Sequence, residues 1–342
     1  MKNFPQIGIQ IPTSYLPVNK INLTKWAVIA CDQYTSQPEY WEDVAEFVGD
    51  APSTFHLVLP ETYLGTEEES RRVKSTHLKM HQYLTDGLLE PRERVIYVER
   101  SVAGKTRRGL MLALDLEHYD FSRGSQTLIR ATEGTILDRL PPRIRIRKEA
   151  PLELPHILVL IDDPADKVIG TVAARSQDLP LAYDFDLMKN SGHLHGRIIE
   201  DDELENSIIA NLESLADPDT FYAKYGVSRE KGILLFAVGD GNHSLATAKS
   251  IWEELKPTVG MDHPARYALV EIENIHDHGL EFEAIHRVLF RTTVNVEHVL
   301  QDVFGNALTF EAVPSSNELA NAVKQVSTEE QRFGLVTSKG FL

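Results

Sequence analysis

The sequence is poor in cysteine and has no long hydrophobic run. Cys31 is the single cysteine among 342 residues, which excludes an internal disulfide framework and predicts a reducing compartment. No stretch approaches the roughly 18 consecutive apolar residues of a membrane-spanning helix. Pro5 and Pro12 interrupt the segment in which a signal peptide would be apolar, so none is expected. We predict a soluble, cytoplasmic protein with Cys31 as a buried thiol or, as the alternative, a nucleophile.

Basic residues are also fewer than acidic residues. The chain has 35 Lys and Arg residues against 51 Asp and Glu residues, which gives a net charge of −16. Because this charge repels nucleic acids and anionic membranes, neither is an expected partner. The sequence contains no Gly-x-x-x-x-Gly-Lys-Ser/Thr loop, which argues against ordinary P-loop chemistry.

The pattern of residues 232–244 is the most informative. Residues 233–238 form an unbroken apolar run of strand length, and Gly239 and Gly241 permit a sharp turn after it. Apolar residues then recur at helical spacing until Pro257. A strand, a glycine turn and a helix start direct backbone N–H groups and partial positive charge at the turn, where phosphates bind readily.

The side chains of this turn suit a phosphate site. Asp240 and His243 are predicted to be catalytic, and Asp240 is also the predicted ligand of a Mg²⁺ ion. The turn residues predicted to contact phosphate are Gly239, Gly241, Asn242 and Ser244. The alternative is structural, with Asn242 as the helix cap and Asp240 closing the turn.

Charged residues upstream and downstream complete the predicted site. Glu133 follows a predicted strand, and a neighbouring cation would keep it ionised as a general base; an ordinary ion pair is the alternative. Arg130 and Arg139 are predicted to bind phosphate beside it. His286 and Arg287 interrupt an apolar segment, and their burial would require a partner such as Asp240 or an anion.

Three arginines, Arg143, Arg145 and Arg147, alternate with isoleucines. On a strand their guanidinium groups would share one face, which would bind an anion or pair with carboxylates such as Glu149 and Glu153.

A metal site elsewhere in the chain is the alternative to a phosphate site at residues 239–244. Two histidine pairs have a spacing that can bind zinc or iron, and one aspartate pair suits a divalent cation or begins a turn. These residues are His193 and His195, His276 and His278, and Asp162 and Asp163.

Strands outnumber helices in the remaining pattern and do not alternate cleanly with them. We therefore predict an α+β fold with mixed, largely antiparallel sheets and flanking helices. Strands are predicted at residues 26–30, 55–59, 94–99, 108–116, 125–130, 154–160, 168–174, 266–273 and 332–337, with a mixed segment at 281–290. Helices are predicted at residues 38–48, 67–84, 200–215 and 316–326. Length favours two regions, 1–180 and 181–342, or one compact unit. The chain stops soon after its last predicted strand, which leaves open whether a C-terminal element is missing.

Several segments together resemble the DUF1015 family, which is uncharacterised. Residues 238–248 resemble its Asp-Gly-His-His-Arg-x-x-Thr-Ala signature, and residues 279–287 resemble its Gly-Leu…Pro-Thr-His-Arg segment. Residues 27–34, Ala-Val-Ile-Ala-Cys-Asp-Gln-Tyr, occupy the place of its Ala-Pro-Pro-Tyr-Asp motif.

The same loop is similar to that of ParB/sulfiredoxin-like proteins, which include nucleotide-dependent free-serine kinases. The similarity implies a core of that type around residues 233–256, with nucleotide phosphates at the loop and a separate Glu acting on the substrate hydroxyl. Asn242 replaces the first His of the signature and Ser244 replaces its Arg, so Arg287 or the Arg143–Arg147 face would supply the cation. The matching positions are Asp240, Gly241 and His243.

These observations predict a nucleotide- and phosphate-binding phosphotransferase that acts on a small hydroxylated or amino-acid-like metabolite. Its expected cofactors are Mg²⁺ and ATP or ADP. A non-catalytic ligand-binding or sensor protein and a metal-dependent hydrolase are the alternatives. The expected partner is a small molecule, and the oligomeric state is left open.

Overall fold

The computed structural model describes residues 2–280, 287–325 and 330–342. Contacts divide the chain into two compact units, Met1–Glu281 and Phe282–Leu342. Strands from both sides of residue 180 share one sheet in the first unit. The predicted regions 1–180 and 181–342, with one compact unit as the alternative, stay a prediction.

The first unit has thirteen strands among its described residues, and eleven of them form one mixed sheet. Its strands are β1 (Asn3–Phe4), β2 (Ile9–Gln10), β3 (Ser14–Pro17), β4 (Leu89–Arg92), β5 (Ile96–Val102), β6 (Lys105–Asp115), β7 (Tyr119–Asp120), β8 (Ile129–Ala131), β9 (Leu158–Ile161), β10 (Leu181–Asp186), β11 (His193–Ile198), β12 (Phe236–Asp240) and β13 (Tyr267–Asn274). The order is β10-β11-β5-β6-β13-β9-β12-β8-β7, with β2 also beside β6 and β1 beside β2; β3 and β4 pair separately. Antiparallel pairs predominate, and the predicted α+β class with mixed, largely antiparallel sheets is confirmed.

Eight helices in the described part of the first unit accompany the sheet. They are α1 (Leu23–Trp26), α2 (Pro38–Val48), α3 (Glu69–Thr85), α4 (Leu140–Arg147), α5 (Ile169–Ala173), α6 (Asp202–Leu215), α7 (Pro218–Tyr225) and α8 (Asn242–Val259). Local sequence explains their starts: Pro38 opens α2, and the Asp201 carboxylate accepts the N–H groups of Glu203 and Leu204 at the start of α6.

The second unit contains two helices and a short hairpin among its described residues. They are α9 (Val296–Phe304), α10 (Ser316–Lys324), β14 (Val336–Thr337) and β15 (Gly340–Phe341). Asn295 caps α9 and Ser315 caps α10 through side-chain oxygens that accept backbone N–H groups.

The main core lies on the sheet. Leu110, Leu112 and Leu114 alternate along β6 and are fully buried, as the period of a strand requires. On α8 Leu245 and Trp252 are buried in the same core, which fixes α8 against the sheet. The turn before α8 is therefore held by a rigid helix and a central strand.

Two predicted strands near the N-terminus were wrong. Trp26 ends the single turn α1, and residues 27–30 have no regular structure. Residues 54–56 form a 3₁₀ turn capped by Ser53 instead of a strand at 55–59. Trp26 and Leu57 lie in a small separate core, so these apolar runs are buried by side-chain packing without joining the sheet.

The predicted strand at 168–174 was also wrong, because this segment is helix α5. The Asp163 carboxylate accepts the Val168 N–H at 2.8 Å, and the Asp166 carboxylate accepts the Gly170 N–H at 3.1 Å. These bonds satisfy N–H groups at the helix start. A short apolar run does not by its period distinguish a strand from a buried helix.

The alternating arginines lie on helix α4 and not on a strand. Pro141 and Pro142 occupy its first turn, where the fixed φ of proline is already helical. Successive residues two apart on a helix point in different directions, so the three guanidinium groups do not share a face. They pair with three separate carboxylates, Arg143 with Glu61, Arg145 with Glu69 and Arg147 with Glu153.

None of the helices in the described ranges is long and apolar enough to cross a membrane. A ParB/sulfiredoxin-like core around residues 233–256 stays a prediction.

Candidate functional site

Three neighbouring strands bring the candidate residues to one edge of the sheet. β12 runs parallel to β8, with Val238 opposite Ala131, so the segments that follow both strands emerge at the same edge. β9 is antiparallel to β12, with Leu158 opposite Asp240, so the residues that precede β9 emerge there too. The edge thus collects the 239–244 turn, the 132–136 loop and His156.

Gly241 is required at the turn for two reasons. Its φ is +77°, in the left-handed region that residues with a Cβ rarely adopt. A Cβ there would also lie 2.9 Å from Ile157 Cα and 3.0 Å from the His156 carbonyl oxygen. The turn therefore packs directly on the segment that leads into β9.

The N-terminus of α8 presents backbone N–H groups at this edge. Gly241 is its N-cap, and among the described residues no side chain caps it. The predicted alternative, in which Asn242 caps the helix, is therefore wrong. Asp240 is exposed, and its Oδ1 accepts the Gly241 N–H at 2.7 Å, which closes the turn. An 18-residue helix whose first N–H groups lack a side-chain cap favours a bound anion.

His243 and Glu133 meet at the start of α8. Glu133 Oε1 lies 3.7 Å from His243 Nδ1, and 54% of the Glu133 side chain is exposed against 15% of His243. The Ile136 N–H donates to His243 Nε2 at 3.2 Å. Because Nε2 accepts that bond, the neutral ring carries its proton on Nδ1, which is the nitrogen nearer Glu133.

The surroundings of His243 keep it neutral. Burial lowers the pKa of His243, and the positive charge of Arg143 and, to a smaller extent, that of Arg139 lower it further, while the Glu133 carboxylate acts in the opposite direction. The neutral imidazole presents its Nδ1–H towards Glu133, 3.7 Å away.

Arg143 anchors α4 beside this pair. Its guanidinium lies 2.5 Å from Glu61 Oε1 and donates to the Arg139 carbonyl at 2.8 Å. Arg147, one turn later, donates to the Ser244 carbonyl at 3.3 Å in the first turn of α8. Two arginines, each paired with a carboxylate, therefore lie beside the first turn of α8.

The predicted ligand-binding role of Asn242 does not fit its position, because the side chain is buried. Its Oδ1 accepts the Thr132 N–H at 3.2 Å, and its Nδ2 donates to the Val238 carbonyl at 3.4 Å. The Thr132 hydroxyl donates to the same carbonyl at 2.5 Å. Asn242 therefore fixes the loop that carries Glu133 to the end of β12.

Arg130 also has a structural role instead of the predicted phosphate contact. Its guanidinium donates to the carbonyl oxygens of Thr127, Lys231 and Ile233 at 2.7, 2.8 and 3.2 Å. These bonds tie β8 to the segment before β12.

A cavity next to the α8 N-terminus is lined by residues that the sequence did not connect with the turn. Cys31 and His156 line it together with Glu61, Arg143 and Ser244. Cys31 is partly exposed, so the expectation of a buried thiol was wrong. The Glu61 N–H donates to the Cys31 carbonyl at 2.7 Å, which joins two loops at the cavity wall.

His156 is paired within this cavity wall. Its Nε2 lies 3.2 Å from Asp32 Oδ2. Burial by itself lowers the pKa of His156, but hydrogen bonds with Asp32 and with Cys31 outweigh it and raise the pKa to about 10. The signal in the sequence was the Cys31-Asp32 dipeptide in the segment that resembles a family motif, but nothing in the sequence connected it with His156.

Of the histidine and aspartate pairs predicted as a metal site, His276 and Asp162 come together, but among the described residues no third ligand joins them. His193 contacts Asp184 and Asp186 of its own hairpin, and His195 lies 3.4 Å from Glu99. Asp162 binds Lys224, Tyr225 and His276, whereas buried Asp163 accepts the Val168 N–H. The described ranges contain no group of three or more His, Cys, Asp or Glu side chains arranged to hold a metal ion.

The last two predicted ligand-binding residues, His286 and Arg287, are not in the described part of the first unit. His286 lies outside the described residues, and Arg287 belongs to the second compact unit.

A nucleotide with Mg²⁺ stays a prediction for this edge of the sheet. Phosphate oxygens would accept the N–H groups at the start of α8, and the exposed Asp240 carboxylate would be the single protein ligand of the cation. Mg²⁺ in nucleotide sites commonly has one or two carboxylate ligands and completes its shell with phosphates and water.

Comparison with known proteins identifies the family. The family model described as "Protein of unknown function (DUF1015)" matches residues 15–342. Searches of curated proteins and of solved structures gave no match. Because the match covers nearly the whole sequence, this chain belongs to the DUF1015 family.

Proposed function

We propose that the protein binds the phosphate groups of a nucleotide at the N-terminus of α8 and transfers a phosphoryl group to a small hydroxylated or amino-acid-like metabolite. The observation that carries the proposal is the uncapped N-terminus of α8, beside which the Glu133–His243 pair lies. Catalysis of phosphoryl transfer depends chiefly on positioning the reacting groups and on neutralising the charge of the phosphates. This edge of the sheet supplies side chains and backbone N–H groups for both.

The residues divide into phosphate-binding and proton-accepting groups. Gly239 and Gly241 let the turn pack closely on the β9 segment. The N–H groups at the start of α8 bind the phosphate oxygens, and Arg139 and Arg143 offset the negative charge of the phosphates. Glu133 accepts the proton of the substrate hydroxyl as general base, because its carboxylate is exposed and lies 3.7 Å from His243 at the start of α8. Bound Mg²⁺ would supply charge stabilisation to the phosphates from the Asp240 side.

The alternative is a binding or sensor protein that uses the same cleft without turnover. The two functions separate at Glu133, which a sensor does not need for binding.

Thermal unfolding in the presence of ATP, ADP or inorganic phosphate, each with and without Mg²⁺, tests the proposal. A ligand at a hundredfold excess over its Kd stabilises the folded protein by about 2.7 kcal/mol. We expect this stabilisation with a nucleotide and Mg²⁺, and we expect it to weaken in Gly241→Ala. If no nucleotide or phosphate raises the unfolding temperature, the proposal is wrong.

A further inference from the structure

Cys31, His156 and Asp32 form a second chemical group in the cavity beside α8. The Nε2 atom of His156 lies 3.2 Å from Asp32 Oδ2, and Cys31 is near enough to raise the pKa of the imidazole. Cys31 and His156 both line the cavity, and Cys31 is partly exposed. A thiol, an imidazole and a carboxylate that orients the imidazole is the arrangement that activates nucleophilic cysteines.

The charge on His156 favours this chemistry. The interactions with Asp32 and Cys31 keep the imidazole protonated at neutral pH, since they raise its pKa to about 10. The thiolate is the nucleophilic form of a cysteine, and a cationic imidazole attracts it. The same protonated ring can later donate its proton to a leaving group.

The cavity indicates the class of substrate. Its volume is about 110 Å³, and much of its lining is apolar, including Leu57, Met80 and Leu152. It therefore suits a short apolar acyl group better than a large ligand. Arg143 lines the same cavity and offers positive charge to a developing oxyanion.

We propose that Cys31 is the nucleophile of an acyl-transfer site, which accepts the short acyl group of an activated carboxylic ester with His156 as acid–base and Asp32 as its positioning residue. This inference goes beyond phosphate binding at α8 and does not depend on it.

The reaction balances with water as the only co-reactant. The Cys31 thiolate attacks the carbonyl carbon, a C–S bond forms, the C–O bond breaks, and the leaving oxygen takes a proton from His156. Water then attacks the thioester and gives a proton to His156. The C–S bond breaks, and the carboxylic acid and the thiolate are released.

Acetylation of the full chain by p-nitrophenyl acetate, followed by intact-protein mass spectrometry, tests the proposal. Because Cys31 is the single cysteine, Cys31→Ser shows directly whether the acetyl group is carried by the thiol. We expect one acetyl group per chain in the wild type and none at this position in Cys31→Ser.

Variants of the two partners test their roles. His156→Gln should slow acetylation roughly 100-fold, as loss of acid–base assistance commonly does. His77→Gln is the matched control: His77 is a half-buried histidine bonded to the Ile146 carbonyl, and its loss should leave the rate unchanged. Asp32→Asn should also slow the reaction, and Asp32→Glu should restore it, which a merely structural role of Asp32 would not produce.

The reference is the same protein unfolded in urea, in which Cys31 reacts as an ordinary thiol. Acetylation of the folded wild type no faster than this reference would overturn the proposal. So would acetylation confined to other side chains. If His156→Gln fails to fold, the Asp32 variants decide. Failure of nucleotide binding in the separate thermal experiment would leave this result untouched.

Discussion

The Nδ1 atom of His243 lies 3.7 Å from Oε1 of Glu133, although the two residues are 110 positions apart in the chain. The parallel pairing of β8 with β12 produces this proximity, because both residues follow strands that end at the same edge. Arg143 and Arg139 act on the same imidazole from α4 and from the turn before it. The electrostatics of His243 therefore report on the whole candidate site.

The pKa of His243, followed by NMR titration, should move in opposite directions in two variants. Arg143→Gln removes a positive charge that lowers this pKa, so the pKa should rise. Glu133→Gln removes a negative charge that raises it, so the pKa should fall further. Arg145→Gln is the control, because Arg145 lies on the same helix but pairs with Glu69. Equal shifts in all three variants would contradict the arrangement.

Glu133→Gln should separate binding from turnover. The general base contributes to the transition state and not to phosphate binding, so nucleotide affinity should stay within about twofold of wild type while transfer falls roughly 10²- to 10⁴-fold. Glu149→Gln, at an exposed position after α4, is the control for loss of a nearby charge. Full transfer activity in Glu133→Gln would remove this residue from the mechanism.

Gly241→Ala should destabilise the protein more than Gly226→Ala. Both glycines cap a helix in the left-handed helical region, with φ and ψ of 77° and 25° at Gly241 and of 60° and 28° at Gly226, so both substitutions carry a similar backbone cost of about 1–2 kcal/mol. A Cβ at Gly226 meets none of the described atoms within 4 Å, whereas one at Gly241 meets Ile157 and His156. Denaturant unfolding should therefore show an additional loss of about 1–3 kcal/mol for Gly241→Ala. Equal losses would show that the turn can move away from the β9 segment.

The stabilising effect of His156 should depend on pH. The folded pKa, about 10, lies above the ordinary value of 6.5, so the stabilisation is complete below pH 6.5 and is lost as the pH rises towards 10. The difference in unfolding free energy between wild type and His156→Gln should be largest near pH 6 and approach zero above about pH 10. Denaturant unfolding at these pH values measures it. A difference that grows with pH would mean that His156 is neutral in the folded protein.

The strand, turn and helix around residues 239–244 could be predicted from sequence because the apolar run, the glycines and the helical period agree locally. The pairing of β8 with β12 was not predicted, and it is this pairing that brings Glu133 to the edge where the 239–244 turn lies; the catalytic role of Glu133 stays a prediction. The contacts of Asn242 and Arg130 within the protein were not predicted, because a polar side chain at the end of a strand or the start of a helix can serve the structure or a ligand, and only contacts distinguish the two.

The error in secondary structure at residues 140–147 has a local physical cause. On α4 the alternation of arginine and isoleucine imitates a strand, but Pro141 and Pro142 favour a helix start, and a helix forms.

The association of Cys31 with His156 could not be predicted, because it depends on how two irregular loops pack at the sheet edge. Such contacts between distant segments leave no periodic signal in a sequence.

Calorimetric titration of ATP with Mg²⁺ into the wild type, Arg143→Gln and Arg145→Gln tests the central claim most directly. The account predicts one site in the wild type, affinity reduced about tenfold in Arg143→Gln as a nearby cation is lost, and no change in Arg145→Gln. Absence of binding in the wild type, or equal affinity in all three proteins, would contradict a phosphate site at the start of α8.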